Sequence, residues 1–451
     1  MYRLFSLLFS FLLYSSVNAQ LVSGPMLGIV ELRTAKVWVE VKPGTTVAVI
    51  YWKKGNMNNY QWVEKKTSKE DWFCPVTFDL VGLDINTTYE YQILINQKVI
   101  TKPVKADGSF TTKELWQWRK PAPDFSFITG SCTYFNEPVY DRPGKPYGGD
   151  SSIFETMAKE NASFMLWLGD NWYTRDVDYF DKWGLWYRAS RDRSSSVLQN
   201  FLKSTSHIGI WDDHDYGPND IGSNYIFKEE SRKVFHSYFP NASAGINGEG
   251  IYTMYSYADV DVFLMDDRWW RSADETKDSI HGKPNPAKAM WGHHQLQWLK
   301  NSLLYSKAPF KIIATGSQVL NPVSPFDKLL DFPAEYHELM NFLNDNKING
   351  VLFVTGDRHH SEIIKLNRPS TYPLYDITVS PLTSGTHKFG GPEKNNPYRV
   401  LGIDEKQNYA RFRFSGERNK RQLLVEFIGI RGEKLGEWSI HENELKTPGE
   451  K

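Results

Sequence analysis

The chain has 451 residues, with 53 Lys and Arg against 53 Asp and Glu, so its formal net charge is zero. That balance argues against a general nucleic-acid or polybasic membrane-surface role, because both rest on an excess of cations. The length is sufficient for one small and one large unit, and two cysteines, Cys74 and Cys132, are too few for a disulfide scaffold.

Residues 1–19 read as a secretory signal. Arg3 gives a positive start, residues 4–14 are apolar, and Val17-Asn18-Ala19 offers a small-residue cleavage site. The mature chain is expected to begin at Gln20, in an exported protein of the periplasm or the extracellular space. The apolar run is shorter than the roughly 20 residues that span a bilayer, and no later segment qualifies. No cysteine follows the cleavage site to carry a lipid anchor.

From residue 20 to 115 short alternating runs at 35–41, 47–52, 74–80, 89–95 and 99–104 predict a small all-β sandwich. Within it, Leu83-x-x-x-Thr87-Thr88-Tyr89-x-Tyr91 resembles the tyrosine-corner segment of fibronectin type III modules. Residues 116–123, with Lys120, Pro121 and Pro123, read as a linker.

Residues 124–451 alternate apolar runs with helical patterns. Phe180, Trp183 and Tyr187 recur at i, i+3 and i+7, as do Leu296, Leu299 and Leu303, so each set is expected to lay one stripe on a sheet. Strands are predicted at 310–315 and 350–355, then at 409–414, 423–430 and 435–440. The unit reads as a mixed α/β sandwich with helices outside it. No G-x-G-x-x-G opens a helix and no P-loop occurs.

Five apolar runs end on polar residues: FSFITGSC at 125–132, MLWLGDNWY at 165–173, HIGIWDDHD at 207–215, VFLMDDR at 262–268 and VLFVTGDRHH at 351–360. Loops beyond the carboxyl ends of buried strands host sites in α/β sheets, so the five ends are expected to converge on a metal centre. Asp170 suits a bridge between two cations and Tyr173 a hard trivalent metal, although Asp170 is equally suited to capping a helix near Asp176. Cys132 reads as a ligand, as a small buried hydrophobe or as a partner of Cys74. The acidic stretch at 212–215 reads as a cation site or a solvated turn. A solvated turn does not explain His214, which suits a general acid. Asp357 and His359 lie two apart and can clasp one ion. Asp266 and Arg268 share that spacing, as in a phosphate-gripping fork or a structural ion pair.

The order G-S-C, G-D-x-x-Y, W-D-D-H-D with a later Asn, D-x-R and G-D-x-H resembles the PhoD-type alkaline phosphatases, within the dinuclear metallophosphoesterases. Ordinary calcineurin-like enzymes open with D-x-H and close on G-H-x-H, which the matching places here lack. The resemblance extends over nearly the whole mature chain, since that family also carries a small β-sandwich ahead of its catalytic domain. It implies an Fe(III) site of Cys132, Asp170, Tyr173, Asp357 and His359. It implies a second cation, calcium in relatives, on Asp170, Asp213 and Asn219, with His214 as proton donor and Arg268 as phosphate clamp. Small phosphate esters are then the expected substrates and a monomer the expected state. The family often has an acidic residue where Thr174 stands, and a small or apolar one where Arg358 stands. The alternatives are a phosphodiesterase or phospholipase on the same scaffold, and a non-catalytic secreted adhesion protein that binds calcium.

Overall fold

The computed structural model describes residues 20–100 and 105–449. The expected signal segment and most of the run at 99–104 lie outside the described residues. Two large mixed sheets dominate. One has nine strands, in the order Lys434–His441, Gln422–Gly429, Asn408–Ser415, Phe125–Gly130, Phe164–Leu168, Ser206–Ile210, Leu21–Val30, Thr34–Val41 and Cys74–Val81. The other has seven: Thr253–Tyr257, Val260–Leu264, Phe310–Thr315, Val351–Thr355, Leu374–Thr378, Ser361–Leu366 and Arg399–Ile403. Their inner faces meet through aromatic rings, with Phe164 5.1 Å from Tyr255 and Phe310 5.1 Å from Phe414. All five residues of Phe164–Leu168 and of Val351–Thr355 are buried. Parallel strands covered on both faces read as unbroken apolar runs, which made them visible in the sequence.

The N-terminal sandwich is joined to this core through a shared sheet. Leu21–Val30 runs parallel to Ser206–Ile210 and antiparallel to Thr34–Val41, so the nine-stranded sheet continues across the boundary expected at 115–124. Side chains alternate faces along a strand. Trp38, with Met26 and Ile29, packs in the large core, while Val37 and Val39 on either side of Trp38 pack in the sandwich core. A five-stranded sheet of Gln61–Lys66, Thr46–Lys53, Thr88–Ile95, Lys98–Val99 and Asp107–Thr111 closes the sandwich. The Tyr89 hydroxyl accepts from the Asp84 amide at 2.9 Å over a fully buried Leu83, the expected corner geometry.

One expected stripe is buried and the other is not. Leu296, Leu299 and Leu303 of the helix His293–Tyr305 are at most 1% exposed. In contrast, Phe180 precedes the helix Lys182–Arg193, and Trp183 is exposed and stacks on half-buried Tyr187. That helix instead buries Leu185, Ala189, Arg188 and Asp192, with Arg188 held by Asp178 at 2.7 Å and Glu137 at 2.8 Å. Its inward face is an ion-pair network that an apolar count passes over. Its N-terminus is capped by Asp181, whose side chain accepts from Gly184 N at 2.8 Å. Asp170 is therefore free of that task. Among the described residues, no helix is long and apolar enough to cross a membrane.

Candidate metal centre

The polar residues that follow the site strands sit on sharply bent backbone. Cys132, Asp170, Asp357 and His359 all have left-handed φ, at 61°, 52°, 64° and 56°. Non-glycine residues adopt that region rarely and at a cost, and such strain collects at functional sites. Gly169, at φ 91°, lets the turn after Phe164–Leu168 touch the next one, since a Cβ there would lie 2.6 Å from Asp212 Cβ. Gly356 does the same between the sheets, since its Cβ would meet Leu168 O at 2.6 Å and Ser131 Oγ at 2.9 Å.

These bends gather Cys132 Sγ, an Asp170 carboxylate oxygen and a His359 ring nitrogen within 4.8 Å of one another. Tyr173 Oη lies 3.2 Å from His359 Nε2, and the other nitrogen, Nδ1, meets Gly385 O at 2.8 Å and the Tyr147 hydroxyl at 2.9 Å. A carbonyl on Nδ1 fixes the tautomer that leaves Nε2 free to bind a metal. Burial pushes the Cys132 thiol up to about 12 and the Tyr173 phenol well above its ordinary value, and the Asp170 carboxyl is raised by burial and then by Cys132 and Asp213. Burial also pulls His359 down to about 3. Three acidic groups crowded where their charged forms are costly fit a cation, whose charge would ionise them. The Asp357 carboxylate lies outside this close group. Its backbone oxygen, rather than its side chain, faces Cys132 Sγ at 3.5 Å, and burial raises its carboxyl to about 7.

Asp170 belongs to a second group, because Asp170, Asp213 and His214 also offer ligand atoms within 4.8 Å of one another. Asp215 ties the two turns together. Its Oδ1 accepts from the Asn171 and Trp172 amides at 2.8 and 3.3 Å, and its Oδ2 accepts from the Asp212 amide at 3.0 Å. Burial tends to raise Asp213, but His214 and Arg268 hold it below its ordinary value. His214 stacks on Tyr173 with ring centroids 4.1 Å apart, and its buried Nδ1 has no partner among the described residues. Burial lowers the His214 pKa while Asp213 opposes the shift. Asn219 is exposed and its side-chain amide donates to Asp220, so it is not drawn into the group.

Arg268 is 1% exposed, and its partner is not Asp266. The Asp266 carboxylate is occupied by the Arg268, Trp269 and Ile251 amides and by Trp211 Nε1. The guanidinium instead meets Asp212 Oδ1 through Nε at 2.6 Å and Nη2 at 2.5 Å, and Asp327 Oδ2 through Nη2 at 3.2 Å. Nη1 has no partner among the described residues. The expected structural pair with Asp266 is thus replaced by pairs with Asp212 and Asp327.

A family model described as PhoD-like phosphatase matches residues 127–420. The chain belongs to that family. A second model, a domain of unknown function, matches residues 18–113. The PhoD-like assignment agrees with a curated relative, alkaline phosphatase D of Bacillus subtilis (strain 168), which is 22% identical over 329 residues, covering 62% of this chain and 52% of the relative. The chain thus spans about half the length of the curated relative it matches. A solved structure described as PhoD shares the fold, with a TM-score of 0.76 at 16% identity, covering 95% of this chain and 92% of that one.

The two departures from the PhoD-like pattern have visible structural uses. Thr174 holds the turn that carries His214, its amide donating to His214 O at 3.1 Å and its hydroxyl to Gly217 O at 2.7 Å. Arg358 makes a two-pronged pair with Glu393 at 2.8 and 2.9 Å and lies 4.2 Å over Phe326. Tyr147, Asp215 and Asp327 are site-building residues that sequence reasoning did not single out. Asp215 closes the stretch HIGIWDDHD, where it is one aspartate among three. Tyr147 lies 212 residues from His359, in an irregular stretch with no periodicity to mark it.

Proposed function

We propose that this protein is an exported, monomeric, metal-dependent phosphatase that hydrolyses phosphate mono- or diesters. The observation that carries this reading is the buried pair of groups sharing Asp170, set beside an arginine with a free donor edge. Cys132, Asp170, Tyr173 and His359 would hold Fe(III), and Asp170 and Asp213 a second cation, calcium by the resemblance; Asp357 and Asn219, which the resemblance adds, would have to turn toward the ions to join them. Such ions would supply charge to neutralise the ester's oxygens and would lower the pKa of a bound water.

The remaining steps fall to side chains of the chain itself. Arg268 grips nonbridging oxygens through its free Nη1, a charge-assisted contact whose strength grows as charge develops in the transition state. Its other edge is already paired, so it need not reorganise when the ester binds. His214 presents Nδ1 to the departing oxygen and, with the Asp213 carboxylate supporting its cationic form against the effect of burial, protonates it. Tyr147 and Tyr173 wall the site and limit water, and Asp215 holds the turns that carry Asp170 and Asp213 in register.

The test is metal analysis of the purified protein beside assays on a phosphate monoester and a diester. The expected result is iron plus a second metal, with hydrolysis of one ester or both. Calcium alone with no hydrolysis of either would favour the adhesion alternative. Export is tested by the mature N-terminus, which is expected at Gln20.

A further inference from the structure

Arg268 donates to Asp212 Oδ1 through Nε at 2.6 Å, and its Nη2 makes an ion-pair contact with the same oxygen. A planar fork held at one acceptor atom can swing about it, and a swing of the guanidinium would re-aim the free Nη1. A second anchor is needed to fix the plane. Asp327 occupies that position. Its Oδ2 makes an ion-pair contact at 3.2 Å with Arg268 Nη2, without hydrogen-bond geometry, and its Oδ1 accepts from Arg271 Nη2 at 2.8 Å. Arg271 is itself 1% exposed and tied to Asp274 at 2.6 Å, so Asp327 is braced from its far side. The result is a chain of charges running Asp274, Arg271, Asp327, Arg268, Asp212.

The stretch that carries Asp327 is also fixed. It lies between the strand Phe310–Thr315 and the helix Pro333–Asp345. Leu329 N donates to Gln318 O at 2.8 Å, and the Val319 and Leu320 amides donate to Asp376 at 2.7 and 2.9 Å. Phe326, the residue before Asp327, lies under the Arg358 guanidinium. The Asp327 side chain remains 13% exposed, at the solvent edge of an otherwise buried arginine pair.

We propose that Asp327 is a positioning residue for substrate phosphate, acting through Arg268 by fixing the plane of its guanidinium so that Nη1 faces the ester. The inference rests on reading Arg268 as the phosphate grip. Asp327 itself touches no substrate, and its effect passes entirely through the arginine.

A double-mutant cycle on the full-length, metal-loaded protein tests this, with inorganic phosphate as the probe. Asp327→Asn, Arg268→Ala and the double variant are compared for phosphate inhibition, KM and kcat on one ester, and Tm. The expected result is that Asp327→Asn weakens phosphate inhibition roughly tenfold, a size typical of coupled residues in one ion-pair network. It should add nothing in the Arg268→Ala background, and Tm should stay near the parent value. If Asp327→Asn does not fold, Asp327→Ser takes its place in the cycle. Unchanged inhibition in Asp327→Asn beside weakened inhibition in Arg268→Ala would overturn the positioning role and leave the phosphate grip standing. Independent, multiplying effects of the two changes would overturn it as well. Unchanged inhibition in Arg268→Ala would instead remove the grip, and the inference with it.

Discussion

Glu40 gives a prediction whose size follows from the structure. It is 1% exposed on the strand Thr34–Val41, in the sheet that joins the N-terminal sandwich to the large core. Its Oε1 accepts from Ser190 Oγ at 2.7 Å and from the Tyr238 hydroxyl at 2.9 Å, and Oε2 has no hydrogen-bond partner among the described residues. Burial raises its carboxyl from 4.5 to about 7, against the opposing pull of those two hydrogen bonds and of Arg193. The folded state therefore keeps the proton longer than the unfolded chain. Stability from this group is fully present below pH 4.5, falls as pH rises to about 7, and is flat above that. The shift corresponds to about 3 kcal/mol at 1.36 kcal/mol per unit. Glu40→Gln is neutral and keeps an acceptor for Ser190 and Tyr238. Urea unfolding at pH 5 and pH 8 should show the parent losing roughly 2 to 3 kcal/mol more than the variant between the two conditions. Equal destabilisation of the variant at both pH values would refute the reasoning, because Glu40 would then be ionised and paired with Arg193.

Cys132→Ser is expected to lose iron and activity while Cys74→Ser keeps both; a Cys74 to Cys132 link in a non-reduced peptide map of active protein would defeat this. Asp170→Asn should lower occupancy of both metals and Asn219→Ala should spare the iron, and full occupancy of both in Asp170→Asn would end the bridging role. His214→Ala should slow alkyl phosphates far more than nitrophenyl phosphate, whose leaving group departs without a proton, and equal slowing would remove His214 as the acid. Arg268→Ala should slow both esters alike, by roughly a hundredfold to a thousandfold. A collapse of its Tm with no such uniform slowing would make Arg268 structural.

The strand framework was legible where burial is two-sided. Phe164–Leu168 is an unbroken apolar run and Val351–Thr355 is apolar up to its last residue, and the strands at 408–415, 422–429 and 434–441 fall within a residue of their expected ends. The glycine before each ligand turn was legible as well, because Gly169 and Gly356 stand where two turns touch. What escaped is non-local. Leu21–Val30 joins the large sheet through Ser206–Ile210, a pairing that alternation within the strand cannot announce. The i, i+2 spacing of Asp266 and Arg268 suggested a local pair, yet the arginine found Asp212 and Asp327, each more than fifty residues away. The helix Lys182–Arg193 was read by its apolar spacing, while its buried face carries Arg188 and Asp192. The two cysteines were legible only as alternatives. Both are free and buried, and their strands stand five places apart in the nine-stranded sheet, a separation of about 24 Å at the usual strand spacing. No disulfide spans that distance.

On the proposed function, the acidic groups around Asp170 are ionised by a bound trivalent iron. The most direct measurement is the visible absorption spectrum of the purified protein beside that of Tyr173→Phe, with iron content determined on the same samples. A tyrosinate bound to Fe(III) absorbs visible light, so the parent should be coloured, with a band that is lost or displaced in Tyr173→Phe. A colourless, iron-free parent that hydrolyses phosphate esters at full rate would contradict it.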